Sequence, residues 1–147
     1  MMSQTINPSV RGAPALSPSA GALAMGALAL YGVFFALAPA LARAFPFEAA
    51  FYEGQKPAIL TEPQVDQALN FYCAVIGGVM AGWFATLALL MRDPRRAVWN
   101  AALGGAAIWF AIDSLGSILT GYWQNAVINA GFGAVIVGIL LASRPVD

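Results

Sequence analysis

The chain has no histidine, a single cysteine and little charge: only 10% of its 147 residues are Asp, Glu, Lys or Arg. Without histidine there is no His-dependent triad, no imidazole proton relay, no imidazole ligand for haem, and few of the usual zinc sites. Cys73 alone cannot form an intrachain disulfide, and inside an apolar run it reads as core filler rather than a nucleophile. A soluble domain carries about 25% charged residues because its surface must face water. This chain cannot cover a soluble globule that way. Its seven basic and seven acidic residues cancel, which leaves no electrostatic footprint for nucleic acid.

What it has in abundance is apolar surface: 60% hydrophobic residues and a mean hydropathy of +0.72. The lipid bilayer is the solvent that fits. The fold class expected is all-α, an integral membrane four-helix bundle running up-down-up-down. Residues 1–19, rich in Ser, Pro and small side chains, read as a flexible cytoplasmic tail. The membrane domain is expected over 20–143, with spans at about 20–42, 69–91, 96–120 and 125–142 and an outer loop at 43–68. Ser17 and Pro18 suit an N-cap and first helical position. The A-x-A spacing in "ALARA" raises signal-peptide cleavage as an alternative, but the apolar run before it exceeds the usual ~7–15 residues of a signal core.

In the outer loop, Phe45, Phe47, Phe51 and Tyr52 suit the membrane interface. Thr61 and Gln64 have capping-box spacing, so the second helix should begin near Glu62, before its membrane-crossing part. In "RDPRR", Asp93 can cap and Pro94 can open the third helix, which stops at Gly121, and "GYWQ" makes a tight turn. Arg11, Arg92, Arg95, Arg96 and Arg144 fall on one side, against Arg43 and Lys56 on the other. The positive-inside rule then places both termini in the cytoplasm. The arginines of "RDPRR" read as this topology signal, since headgroup sites usually hold about 4 to 8 basic residues.

Helix contacts are expected where small residues let backbones approach: Ala74, Gly78 and Gly82 on span two, with Gly77, Ala81 and Ala85 beside them. Span three offers Ala101 and Gly105, then Ala102 and Ala106. The same faces would serve a homo-oligomer or another membrane protein. Trp99 and Trp123, near span ends, read as interfacial anchors.

One carboxylate interrupts the third span. Asp113, Ser117 and Thr120 recur at i, i+4 and i+7 and share a helix face. Folding about "GYWQ" brings Asn125 to the level of Thr120 and Asn129 to that of Gly116 and Ser117; folding about "RDPRR" brings up Tyr72 and Cys73. Asp113, Ser117, Thr120, Asn125, Asn129 and Tyr72 are therefore expected to form a ligand- or proton-binding pocket between spans two, three and four. Trp109, one turn inward, reads as filling space against the glycines of span two, with the pocket's floor as the alternative; Arg43 is the basic side chain that could reach the cluster, or else it snorkels to the headgroups. Three roles compete: hydrogen bonds that hold helices together, a small-ligand, ion or proton site, and membrane-embedded catalysis. One carboxylate without a second acid or a histidine is a poor acid-base apparatus, so no catalytic residue is assigned. No cofactor or metal is expected.

"FYCAVIGGVMAGW" and "WFAIDSLGSILTGYWQNAVIN" resemble the uncharacterised small four-span bacterial membrane proteins that are DoxX-like in layout, over roughly residues 69–141. The resemblance implies a four-helix membrane bundle and supplies no catalytic assignment. The function expected is that of a non-enzymatic accessory or scaffold subunit of a membrane assembly. A small-solute, ion or proton-coupled carrier or channel is the alternative, and a lipid- or quinone-binding membrane enzyme the second alternative.

Overall fold

A computed structural model describes residues 16–44 and 62–144. The expected features at Arg11, at Lys56, in the aromatic part of the loop and at Thr61 lie outside them. Among the described residues all regular structure is helical: α1 (Pro18–Leu37), α2 (Pro39–Ala42), α3 (Pro63–Leu90), α4 (Arg96–Leu119) and α5 (Trp123–Ala142). Helices α1, α3, α4 and α5 are each long and apolar enough to cross a membrane.

Local chemistry accounts for most of the boundaries. Ser17 Oγ accepts the amide N–H of Ala20 at 3.1 Å and Pro18 opens α1, as expected. The first apolar run is not one helix, however. Pro39 brings no N–H and pushes the residue before it out of the helical region, so Ala38 sits at φ −129°, ψ 54° and a separate turn, α2, follows. Helix α3 opens with Pro63 after an extended Glu62, where the second helix was expected to begin.

The third helix starts later than Asp93 and Pro94 suggest. Asp93 Oδ1 accepts the backbone N–H of Arg95 at 2.9 Å and the carboxylate clasps the Arg95 guanidinium, so the N-cap falls on Arg95. At the other end, Gly121 adopts φ +87°. Its N–H reaches Ile118 O at 3.1 Å and that of Tyr122 reaches Ser117 O at 2.8 Å, a Schellman closure that only glycine enters without strain.

Two pairs of helices result, α1 with α3 and α4 with α5. The first pair is in backbone contact at Gly32, Gly77 and Ala81. The pairs join through a core of Met25, Phe84, Leu87, Met91, Trp99, Ala102, Ala106, Ile136 and Leu140. That core lies toward the 91–95 connection, where Leu16 N–H also bonds Ala142 O at 2.8 Å and Gly21 meets the side chains of Met91 and Ser143. Toward the opposite end the buried apolar residues are Phe35, Ala42 and Cys73, contributed by α1, α2 and α3.

Of the two adjacent strips expected on each of α3 and α4, one makes the contacts and the other does not. Gly78, Gly82, Ala101 and Gly105 face outward; a Cβ on any of these three glycines would meet nothing within 4 Å, and Ala74 is only half-buried. The strip one residue away, with Gly77 and Ala81 on α3 and Ala102 and Ala106 on α4, makes the contacts. Both strips have the same four-residue spacing and differ by a rotation of about 100°. Trp99 is also corrected. It is 2% exposed, part of the core, and its Nε1–H donates to Asp93 O at 2.8 Å. Trp123, by contrast, is 61% exposed at the first turn of α5.

Candidate functional site

The polar cluster forms between α4 and α5. Asn125, in the first turn of α5, directs Nδ2 at both Ser117 Oγ (2.8 Å) and Asp113 Oδ1 (3.2 Å). An amide nitrogen has two hydrogens, so it can serve both acceptors. The Ser117 hydroxyl donates to the backbone carbonyl of Asp113 at 2.7 Å, which leaves its lone pairs free to accept from Asn125. Deeper in the pair, Asn129 Nδ2 lies 3.5 Å from Ser114 Oγ, and both residues are buried. Ser114 has no place in the sequence reading; its signal is its position next to Asp113, turned toward the other helix of the hairpin.

Asn125 and Asn129 pair about one turn further from the Gly121 bend than simple folding suggests, with Ser117 and Ser114 rather than Thr120 and Ser117. The Schellman closure consumes the last turn of α4 before the chain reverses. Thr120 consequently stays with its own helix, its Oγ1 donating to Gly116 O (2.9 Å) and Ser117 O (3.1 Å).

Two other expected members are absent. Tyr72 is 62% exposed and packs edge-on against Phe71, with ring centroids 5.7 Å apart. Its neighbour Cys73 turns instead into the α1–α3 contact, which directs Tyr72 away from α4. Arg43 is engaged on the other pair of helices: its guanidinium forms an ion pair with Asp66 and donates to Asp66 O at 3.3 Å. Asn70 Nδ2 reaches the second Asp66 oxygen at 3.2 Å. An acid four residues into α3 thus claims the cation that Asp113 was expected to draw. Trp109 does lie inward of Asp113, half-buried against the core, its ring 5.4 Å from that of Trp83.

Asp113 therefore has the Asn125 amide as donor on Oδ1 and, among the described residues, no hydrogen bond to Oδ2 and no basic partner. The arrangement can tie α4 to α5 and can hold a proton on Oδ2. Among the described residues no group of three or more His, Cys, Asp or Glu side chains could hold a metal ion. The comparisons with known proteins give no match, whether with family models, curated proteins or solved structures.

Proposed function

We propose that this chain is a multi-pass protein of the bacterial inner membrane, up-down-up-down with both termini cytoplasmic, and that it acts without catalysis as an accessory or scaffold subunit of a membrane assembly. The observation that carries this reading is the doubling of the small-residue ladders. One ladder, Gly32 with Gly77 and Ala81, is spent on bringing α1 and α3 together. Two further pairs, Gly78 and Gly82 on α3 and Ala101 and Gly105 on α4, face outward on helices that also expose Val75, Val79, Leu89 and Ile108. In lipid, faces of small residues associate by close packing rather than by the hydrophobic effect, so an uncovered ladder favours a second protein helix. The polar cluster fits the same reading, since Asn125 and Ser117 bind α4 to α5 from within.

The test is extraction in mild detergent followed by measurement of assembly mass. The assembly should dissociate on Gly78→Leu with Gly82→Leu while the chain's own unfolding midpoint stays put. A wild-type chain that leaves its native membrane as a monodisperse monomer would sink the reading.

A second reading, an ion- or proton-coupled carrier, is favoured by the unbonded Oδ2 of Asp113, because ionisable groups within membrane spans mark functional sites by default. It requires flux in proteoliposomes under a pH or Na⁺ gradient that Asp113→Asn abolishes. Absence of any wild-type flux rules it out.

A further inference from the structure

Asp113 stands six residues before Leu119, the last residue of α4, which is about 9 Å at ~1.5 Å per residue. Asn125 fixes the carboxylate through Oδ1, and among the described residues no hydrogen bond reaches Oδ2. The side chain is not sealed in, since Asp113 is only half-buried. Helical spacing sets Ile112 and Gly116 on the side of α4 opposite Ser114, the residue that meets α5. Both are exposed, and a Cβ on Gly116 would meet nothing within 4 Å. Asp113 lies between that open side and the α5 contact, with Trp109 one turn inward against Trp83 of α3.

The helices of the chain offer nothing basic at this depth. Helices α1, α2, α3 and α5 contain no Lys or Arg, and the one in α4, Arg96, stands at its opposite end. Arg43, which follows α2, is ion-paired with Asp66. A second copy of the chain in the same orientation would bring another Asp113 to this level rather than a cation. Acids within membrane spans are costly and pair with groups of opposite charge or with donors. The complement of Asp113 must then come from a different molecule.

We infer that the open side of α4 receives a membrane-spanning helix of another protein, and that this helix carries a lysine or arginine at the level of Asp113, set against Oδ2. Charge complementarity selects this occupant. The ammonium or guanidinium donates to Oδ2 while Asn125 keeps Oδ1 and holds the carboxylate in place. Gly116 lets the backbone of the arriving helix come close enough for its basic side chain to reach Asp113 from the side. An acyl chain lying on the same face would leave Oδ2 without a donor. The inference deepens the accessory-subunit reading proposed above and rests on it.

The extraction experiment described above tests that reading by itself, since a monomeric wild-type chain overturns it whatever Asp113 does. The chemistry of the partner is tested with the full chain in phosphatidylcholine bilayers and single-span leucine-alanine peptides, by energy transfer from the chain's tryptophans to a dansyl label on the peptide. One peptide carries lysine at the level of Asp113, a second leucine and a third glutamate. The lysine peptide should bind about tenfold tighter than either of the others. Asp113→Asn, which keeps an acceptor for Asn125, should remove that preference and leave the unfolding midpoint of the chain unchanged. Gly116→Leu should weaken binding of the lysine peptide without altering charge. Equal binding of the three peptides by the wild-type chain would overturn the inference with the protein unaltered. So would a lysine preference that survives Asp113→Asn, or a native assembly composed only of copies of this chain.

Discussion

Gly32 on α1 and Gly77 on α3 lie backbone against backbone: a Cβ on Gly32 would fall 2.5 Å from the amide nitrogen of Ala81, and one on Gly77 would fall 2.7 Å from the carbonyl oxygen of Gly32. Neither neighbour is a side chain that could swing aside. Gly77→Val must therefore separate the two helices along their length. The expected loss is at least the ~1–3 kcal/mol typical of overpacking, read as a lower unfolding midpoint in detergent. Gly78→Val, one residue away and facing open space, should leave that midpoint unchanged.

The hydrogen bonds of Asn125 give the polar cluster a measurable weight. Asn125→Ala removes donors to both Asp113 and Ser117. Interhelical bonds of this kind within membrane proteins average about 0.6 kcal/mol, so the expected cost is about 1 kcal/mol. Thr120→Val, which breaks only bonds within α4, should cost less and leave the α4–α5 contact intact. Equal effects of the two changes, measured by unfolding in detergent, would contradict the pairing.

Trp99 makes the clearest single-residue test of the core. Trp99→Phe keeps most of the ring but leaves Asp93 O without its donor, at a cost of about 1–3 kcal/mol. Trp99→Ala should cost about 3–5 kcal/mol. An interfacial anchor in the same position would tolerate either change, so the thermal midpoints separate the two placements.

Acid should act on the 91–95 connection through Asp93. The Arg95 side chain and backbone N–H bond its carboxylate and hold its pKa below the usual carboxylate range. The folded state then binds the proton less tightly than the unfolded chain. The stabilisation is complete above the unfolded pKa, near ~4, and is lost as pH falls through the depressed folded value. The pair is exposed and its contribution small. Carboxyl NMR should find Asp93 titrating below an ordinary aspartate, and Arg95→Gln should move it upward.

Gly121→Ala should cost about 1 kcal/mol, since alanine must enter the left-handed region at φ +87°. The Schellman bonds to Ile118 and Ser117 make this turn the hinge of the hairpin. Hydrogen exchange at the Tyr122 amide is the sensitive readout.

The helices themselves were legible because hydrophobic run length and end chemistry are properties of single segments. Ser17 with Pro18, Glu62 with Pro63, and Gly121 each mark a boundary that local physics enforces. Pro39 carries a local signal of the same kind, but the apolar run on either side of it conceals the break at Ala38. What sequence could not supply was rotation. Gly77 and Gly78 belong to ladders of identical spacing, and only the neighbouring helix selects one. Trp99 has the same signature whether it turns to lipid or to core. Of the site, the i, i+4 logic placed Asp113 and Ser117 together and identified Asn125 as their counterpart, while Asn129 meets Ser114, which the pattern did not single out. Tyr72 and Arg43 were misplaced because the contacts that set them, Cys73 against α1 and Arg43 with Asp66, join elements whose approach no periodicity encodes.

The separation of Gly32 from Gly77 along the chain also gives assembly an order in time. Helices α4 and α5 are joined by the Gly121 turn and can meet as soon as both exist. The first helix has no such neighbour: its tightest partner is made only after the whole interval between α2 and α3 has been synthesised. At ~5–20 residues per second, α1 waits on the order of a few seconds with a glycine-lined groove unfilled. The closest backbone approach between helices among the described residues is thus also one whose formation the ribosome delays.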